Sequence, residues 1–199
     1  MSGKPQYDES AVLEAAMRVF WQRGYAATSI NDLLAETGLS RSSIYQRFQD
    51  KGNLFREVLA LYTERVLRRM LAIERASERA RMEAVLRDFL PKPSATRRPD
   101  GCLLARSCTE IAILPEDSQI AVEAGVARQH AVLEQIISKA LSNGELPASS
   151  DRHALAWYYL GILHAVMTLP QVGAVPAALS GMIDLAMASW PVGRSARAT

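Results

Sequence analysis

Apolar residues recur three and four positions apart along most of the chain, and strict alternation of apolar and polar residues is missing. Ala, Leu, Glu and Arg dominate throughout, which favours helix and argues against strand. Asp8 is placed to cap a first helix carrying Val12, Ala16, Val19 and Phe20 on one face, with Gly24 as its stop. Thr28 or Ser29 caps a second helix with Ile30, Leu33 and Leu34, closed at Gly38. Ser40 caps a third, in which Ile44 and Phe48 lie four apart. A long helix is expected from near Lys51 to about Ala76, and another from Ser77 to just before Pro91. The stretch PKPSATRRPDG, 91 to 101, reads as a loop. Four more helices follow: Cys102 to Ile113, Glu116 to Leu141, Asp151 to Leu169, and Pro176 to Trp190, before a frayed tail. The pattern is thus nine helices, three short and six forming a larger body, in an all-α fold.

The second and third helices form a unit of their own. They are joined by Thr37-Gly38-Leu39-Ser40, where the glycine permits the positive φ of a tight turn. Leu33, Leu39, Ile44 and Phe48 supply the small core of a helix-turn-helix. The other face of the third helix carries Arg41, Ser42, Ser43, Tyr45, Gln46 and Arg47, with no acid between Thr37 and Gln49. Short hydroxyls, an amide and arginines can hydrogen-bond to phosphates or base edges. Lys51, just before the fourth helix, can reach a further phosphate. An ordinary helical hairpin with a solvated face is the plainer reading; the capped turn and acid-free face favour DNA.

Totals narrow this only slightly. The chain has 199 residues, 49% hydrophobic and 22% charged, with a net charge of +2, so any basic footprint must be local. No run of about 18 apolar residues predicts a membrane span. MSGKPQYDES lacks the apolar run of a signal peptide, so a cytoplasmic location is expected. No Gly-rich phosphate loop and no persuasive nucleophile–base spacing support an enzyme, although an all-α enzyme and a helical protein-interaction adaptor stay open as alternatives. His130, His153 and His164 contain no helical i, i+4 histidine pair, so neither a metal site nor a cofactor is expected.

From Asp8 to Phe55 the chain resembles the N-terminal domain of TetR/AcrR-type transcriptional regulators. The blocks AMRVFWQRGYAATSI (16 to 30), LLAETGLSRSSIYQRF (33 to 48) and DKGNLF (50 to 55) carry the resemblance in order. It implies a helix-turn-helix DNA-binding domain over 1–52, with its motif at about 29–48, and a six-helix effector-binding and dimerisation domain over 53–199. It further implies a ligand-responsive repressor that binds a near-palindromic operator as a homodimer and is released by a small molecule. Thr28 and Ser29 would make backbone contacts, Arg41, Ser42, Ser43 and Gln46 would lie on the recognition helix, and Tyr45 and Lys51 would touch phosphate. Ser42, Gln46 and Arg47 depart from the residues common in the family, which places this chain's base preference there. Leu34 and Gly52-Asn53 depart as well, Leu34 at the crossing of the two motif helices.

For the larger body, the resemblance implies that the last two helices, about 151–169 and 176–190, pair across the dimer. Their sequences fit, with Gly161, Ala165, Ala178, Gly181, Ala186 and Ala188 set among large apolar residues. Phe89, Leu103, Leu104, Trp157, Tyr158 and Met167 are candidate lining for an effector pocket, each also explicable as core. GCLLARSCTEIA, 101 to 112, resembles a glycine-cysteine motif of family members that respond to reactive electrophiles. Cys102 sits at a helix start, where free amides can lower a thiol pKa as a sensor needs, although a buried, inert cysteine is the plainer reading. Two cysteines are too few for a disulfide framework. A Cys102–Cys108 disulfide is not expected if both lie on one helix, since six residues of rise separate the two by about 9 Å; chemistry at Cys102 alone or between subunits stays open.

Overall fold

The computed structural model describes residues 7–92, 99 and 101–192. Among them are nine α-helices and no strand, in the order the hydrophobic pattern predicts: α1 Glu9–Arg23, α2 Ile30–Thr37, α3 Arg41–Phe48, α4 Lys51–Leu71, α5 Glu78–Asp88, α6 Leu103–Thr109, α7 Glu116–Ser142, α8 Arg152–Thr168 and α9 Pro176–Ala188. Most of the expected 91–101 loop and the tail from 193 lie outside the described residues. No described helix is long and apolar enough to cross a membrane.

Two ends differ from expectation. The fourth helix ends at Leu71 rather than near Ala76, and the Ile73 carbonyl beyond it accepts the Arg81 Nε–H at 2.9 Å. The predicted 102–113 helix is two pieces, α6 and a 3-10 turn over Ile111–Ile113, broken where Glu110 turns its carboxylate to another element.

Contacts divide the chain into two compact units that do not follow chain order. The first takes the described residues up to Arg65 and the segment 99–125, so it holds α1 to α3, most of α4, α6 and the start of α7. Phe20, Leu33, Ile44, Phe48, Leu54 and Phe55 are all fully buried within it. Phe20 meets Phe55 edge to face at 4.9 Å, a favourable aromatic geometry. Trp21 donates its indole N–H to the Gly101 carbonyl at 3.1 Å, and Trp21 also packs edge-on against Tyr62.

The second unit takes residues 66–92 and the described residues from Val126. Its core is Met70, Met82, Leu86, Leu133, Ile136, Tyr159, Leu163 and Ile183. Glu145 accepts the Glu78 and Arg79 amides at 3.0 and 3.1 Å, which satisfies free donors at the start of α5. Arg87 joins α5 to α9 through Ser180 and Asp184.

Candidate nucleic-acid interface

Local sequence sets α2 and α3 in place. Ser29 and Asp32 form a reciprocal capping box at the start of α2, each side chain accepting the other's backbone amide. Gly38 ends α2 with φ of +70°, the left-handed conformation the turn requires. Ser40 then accepts the Ser43 amide at 3.1 Å, and its hydroxyl also meets those of Ser42 and Ser43. Ile44 and Phe48 are buried beneath the helix, and Leu39 is half-buried. These anchors orient the opposite side of α3: Arg41, Ser42, Tyr45 and Gln46 are exposed, and Ser43 is half-buried. Ser29 is exposed at the start of α2. Arg41 donates to the Asn31 side chain at 2.7 Å, which steadies its guanidinium beside the same surface.

Three predicted surface residues are turned inward. Thr28 is 1% exposed, and its hydroxyl donates to the Gly24 carbonyl at 2.5 Å. Lys51 donates to the Tyr25 and Thr28 carbonyls at 3.0 and 2.9 Å and sits 4.0 Å over the Tyr25 ring. Burial lowers its ammonium pKa, with Glu110 acting in the opposite direction. Both residues therefore brace the turn between α1 and α2. Arg47, expected on the DNA-facing side, pairs with both oxygens of Glu57 at 3.0 Å and with Glu9. The Glu9 and Glu57 hydrogen bonds raise the Arg47 pKa further, and Arg47 in turn lowers that of Glu9. A guanidinium held bidentately is a brace between α1, α3 and α4 and not a free reader of bases.

Glu110 is a contact that sequence reasoning passed over. Its carboxylate accepts the Tyr25 amide at 2.8 Å and the Ala26 amide at 3.3 Å. Gly24 has φ of +80°, and a Cβ there would lie 2.6 Å from Glu110 Oε1. Conformation and space both require glycine at that point.

The remaining candidates scatter. Leu103 and Leu104 are fully buried in the first unit, where Leu104 packs so closely on Gly125 that a Cβ there would meet it at 2.8 Å. Phe89 and Met167 are buried, whereas Trp157 and Tyr158 are 48% and 42% exposed. An open cavity of about 290 Å³, lined by Asp50, Gly52, Asn53, Pro115, Glu116, Asp117 and Ser118, includes none of these six. Cys102 is the N-cap of α6, and its sulfur accepts the Ala105 amide at 3.4 Å. Burial pushes its thiol pKa up, opposite to the lowering expected of a sensor at a helix start. Cys108 is exposed, and both thiols are free.

Histidines without a metal pattern along the sequence form part of a cluster in space. His130 and Glu134 share a face of α7 at i, i+4, and His153 on α8 joins them, so that their ligand atoms lie within 4.8 Å of one another. A search for paired histidines on one helix misses this arrangement, because the second histidine comes from another helix. His164 goes elsewhere, its Nε2 lying 2.8 Å from Gln129 Oε1.

Comparison with known proteins agrees with this geometry. Residues 12–58 match the model of bacterial regulatory proteins of the tetR family, and residues 79–184 match the tetracyclin repressor-like C-terminal domain. The HTH-type transcriptional repressor ComR of Escherichia coli K12 is 30% identical over 196 residues, which covers 95% of this chain and 92% of that protein. The uncharacterized HTH-type transcriptional regulator YezE of Bacillus subtilis is also 30% identical, covering 79% of this chain and 83% of its own length. A solved structure of the TetR family regulator CifR, a cysteine mutant complexed with 26 bp of double-strand operator DNA, superposes with a TM-score of 0.83. It is 25% identical and covers 95% of this chain and 100% of its own. The chain, with its helix-turn-helix and its helical C-terminal part both matched, belongs to the TetR family of transcriptional regulators, a family of regulators and not of enzymes.

Proposed function

We propose that this regulator is a repressor that binds a near-palindromic operator as a homodimer and is released by a small-molecule effector. One observation carries the DNA reading: α3 buries Ile44 and Phe48 and leaves Arg41, Ser42, Tyr45 and Gln46 on a solvent-facing surface free of acids. ComR, a repressor by name, and CifR, bound to operator DNA, support the same function. The direct contact set is Ser29, Arg41, Ser42, Ser43, Tyr45 and Gln46. Thr28, Lys51 and Arg47 act behind it as positioning residues. In this reading residues 1–52 bind DNA in the cytoplasm and residues 53–199 carry the effector and dimer functions.

A single α3 reads too few bases for strong specificity, so two heads are needed on half-sites about one helical turn, roughly 34 Å, apart. The α8 and α9 surface suits the dimer contact. Trp157, Tyr158, Leu169 and Leu185 are exposed, and a Cβ at Gly161 or Gly181 would meet nothing within 4 Å, which leaves room for close helix approach. An effector releases such a dimer only if it binds the non-operator conformation better than the operator-bound one. Phe89 and Met167, both buried in the second unit, are the first residues to probe for it.

A DNA-binding titration against the region upstream of the protein's own gene tests this function. Specific binding that weakens steeply and log-linearly with salt is expected, since phosphate contacts release counterions. Absence of specific binding at every salt concentration would remove the basis for the proposal.

A further inference from the structure

Three side chains from α7 and α8 converge in the second unit. We infer that His130, Glu134 and His153 form a binding site for a borderline first-row divalent cation of the zinc type. His130 and Glu134 stand one turn apart on α7, and Asp151 fixes the start of α8 by accepting the His153 and Ala154 amides at 3.0 Å each. Glu134 lies between the rings, with one oxygen 3.7 Å from His130 Nδ1 and the other 3.9 Å from His153 Nδ1. Both separations exceed hydrogen-bond range. Tetrahedral ligands at zinc bond lengths of about 2.0–2.1 Å stand about 3.4 Å apart. The trio's ligand atoms lie within 4.8 Å of one another, so closing on a cation brings the widest pair together by up to about 1.4 Å.

His130 is the buried member of the trio. His130 is 6% exposed, and its Nε2 is buried with no hydrogen-bond partner. A buried imidazole left in that state calls for a partner its surroundings do not supply. The nitrogen that faces Glu134 is the other one, Nδ1, so it is the convergence of the three side chains that points to a cation. Two imidazoles and one carboxylate suit zinc and its neighbours, whereas magnesium and calcium favour oxygen donors alone. Three protein ligands leave a fourth position for water or another molecule.

The surroundings make the site readable. Trp157 donates its indole N–H to His153 Nε2 at 3.0 Å, which places the proton of a neutral His153 on Nδ1. Ligation through Nδ1 requires that proton to leave, and through solvent it passes to Nε2, which ends the Trp157 hydrogen bond. Trp157 also packs against His130 with ring centroids 4.5 Å apart, so its fluorescence reports on both histidines. Arg152 Nε lies 3.4 Å from Glu134 Oε1 and competes with any cation for that carboxylate.

The test is a titration of full-length, tag-free, chelator-stripped protein with ZnCl2, in a Cys108→Ser background that removes the exposed thiol, read by calorimetry and tryptophan fluorescence. One zinc per chain is expected, with a fluorescence change that Trp157→Phe abolishes and no response to MgCl2. His153→Asn and Glu134→Gln should each weaken binding by about tenfold or more, at least the loss typical of an outer-shell change. Arg152→Ala should tighten it. Both weakening variants change exposed or half-exposed side chains, and thermal melts in chelator establish that they fold. Absence of saturable zinc binding would overturn the site, as would His153→Asn and Glu134→Gln proteins that bind zinc like the parent.

Discussion

Glu110, at the end of α6, accepts the backbone N–H of Tyr25, 85 residues earlier in the chain, at 2.8 Å. That bond and its companion to Ala26 hold the turn that feeds α2, which Lys51 braces through the Tyr25 and Thr28 carbonyls. Glu110→Ala should therefore leave two amides without their carboxylate and cost about 1–3 kcal/mol in urea unfolding. Operator affinity should fall alike on all DNA sequences, because the turn places α2 and reads no base. A variant of parental stability and affinity would show that the turn holds itself.

Arg47 links Glu9 on α1 to Glu57 on α4, and the link has a pH signature. The Arg47 hydrogen bond lowers the folded pKa of Glu9 below that of a free glutamate, about 4.3. Its stabilising effect is complete above the unfolded pKa and is lost as pH falls through the lower folded value. Arg47→Met should thus reduce stability near pH 7 and flatten the dependence of stability on pH between about 5 and 3. Parallel stability–pH curves for parent and variant would rule out the linkage. Base preference should stay unchanged, contrary to what the departure of Arg47 from the family pattern first implies.

Tyr45 and Gln46 are neighbours on the exposed side of α3 with different expected roles. Tyr45→Phe should weaken binding to every sequence to a similar degree, since a phosphate contact positions without specifying. Gln46→Ala should change preference at one base step of each half-site, at about 1–3 kcal/mol for a bidentate contact. Binding-site selection on the two variants distinguishes the roles. An unaltered logo for Gln46→Ala would end its assignment as a base reader.

What was legible in the chain follows from the range of the interactions. Caps and turns act over a few residues, so Ser29, Gly38 and Ser40 mark α2 and α3 directly, and the spacing of Ile44 and Phe48 identifies the buried face. The fate of Arg47 was hidden because one of its partners is 38 residues away. Glu110 escapes a local reading for the same reason, with partners 85 and 84 residues away. The two readings of Cys102 differ in range: its helix-start position is local, while the burial that raises its thiol pKa is tertiary. In α8, apolar residues on nearly every side conceal which face is core. The structure turns Ala156, Tyr159, Leu160, Leu163 and Val166 inward and leaves Trp157 and Tyr158 outside.

The α9 surface gives the most direct test of assembly. Leu185 is 75% exposed, one residue after Asp184, which is itself tied to Arg87 on α5. A large apolar side chain at this exposure adds little to the folding of one chain, so Leu185→Glu should change monomer stability by no more than about 0.5 kcal/mol. In a dimer built on α8 and α9, the same change places a carboxylate in a desolvated apolar contact, which is costly without a partner. The variant should therefore sediment as a monomer at concentrations where the parent is a dimer. Specific operator affinity should collapse, because each head then binds its half-site alone, while the salt-dependent affinity for non-specific DNA persists. Dimeric sedimentation of the variant at the parent's concentration would move the interface away from this part of α9.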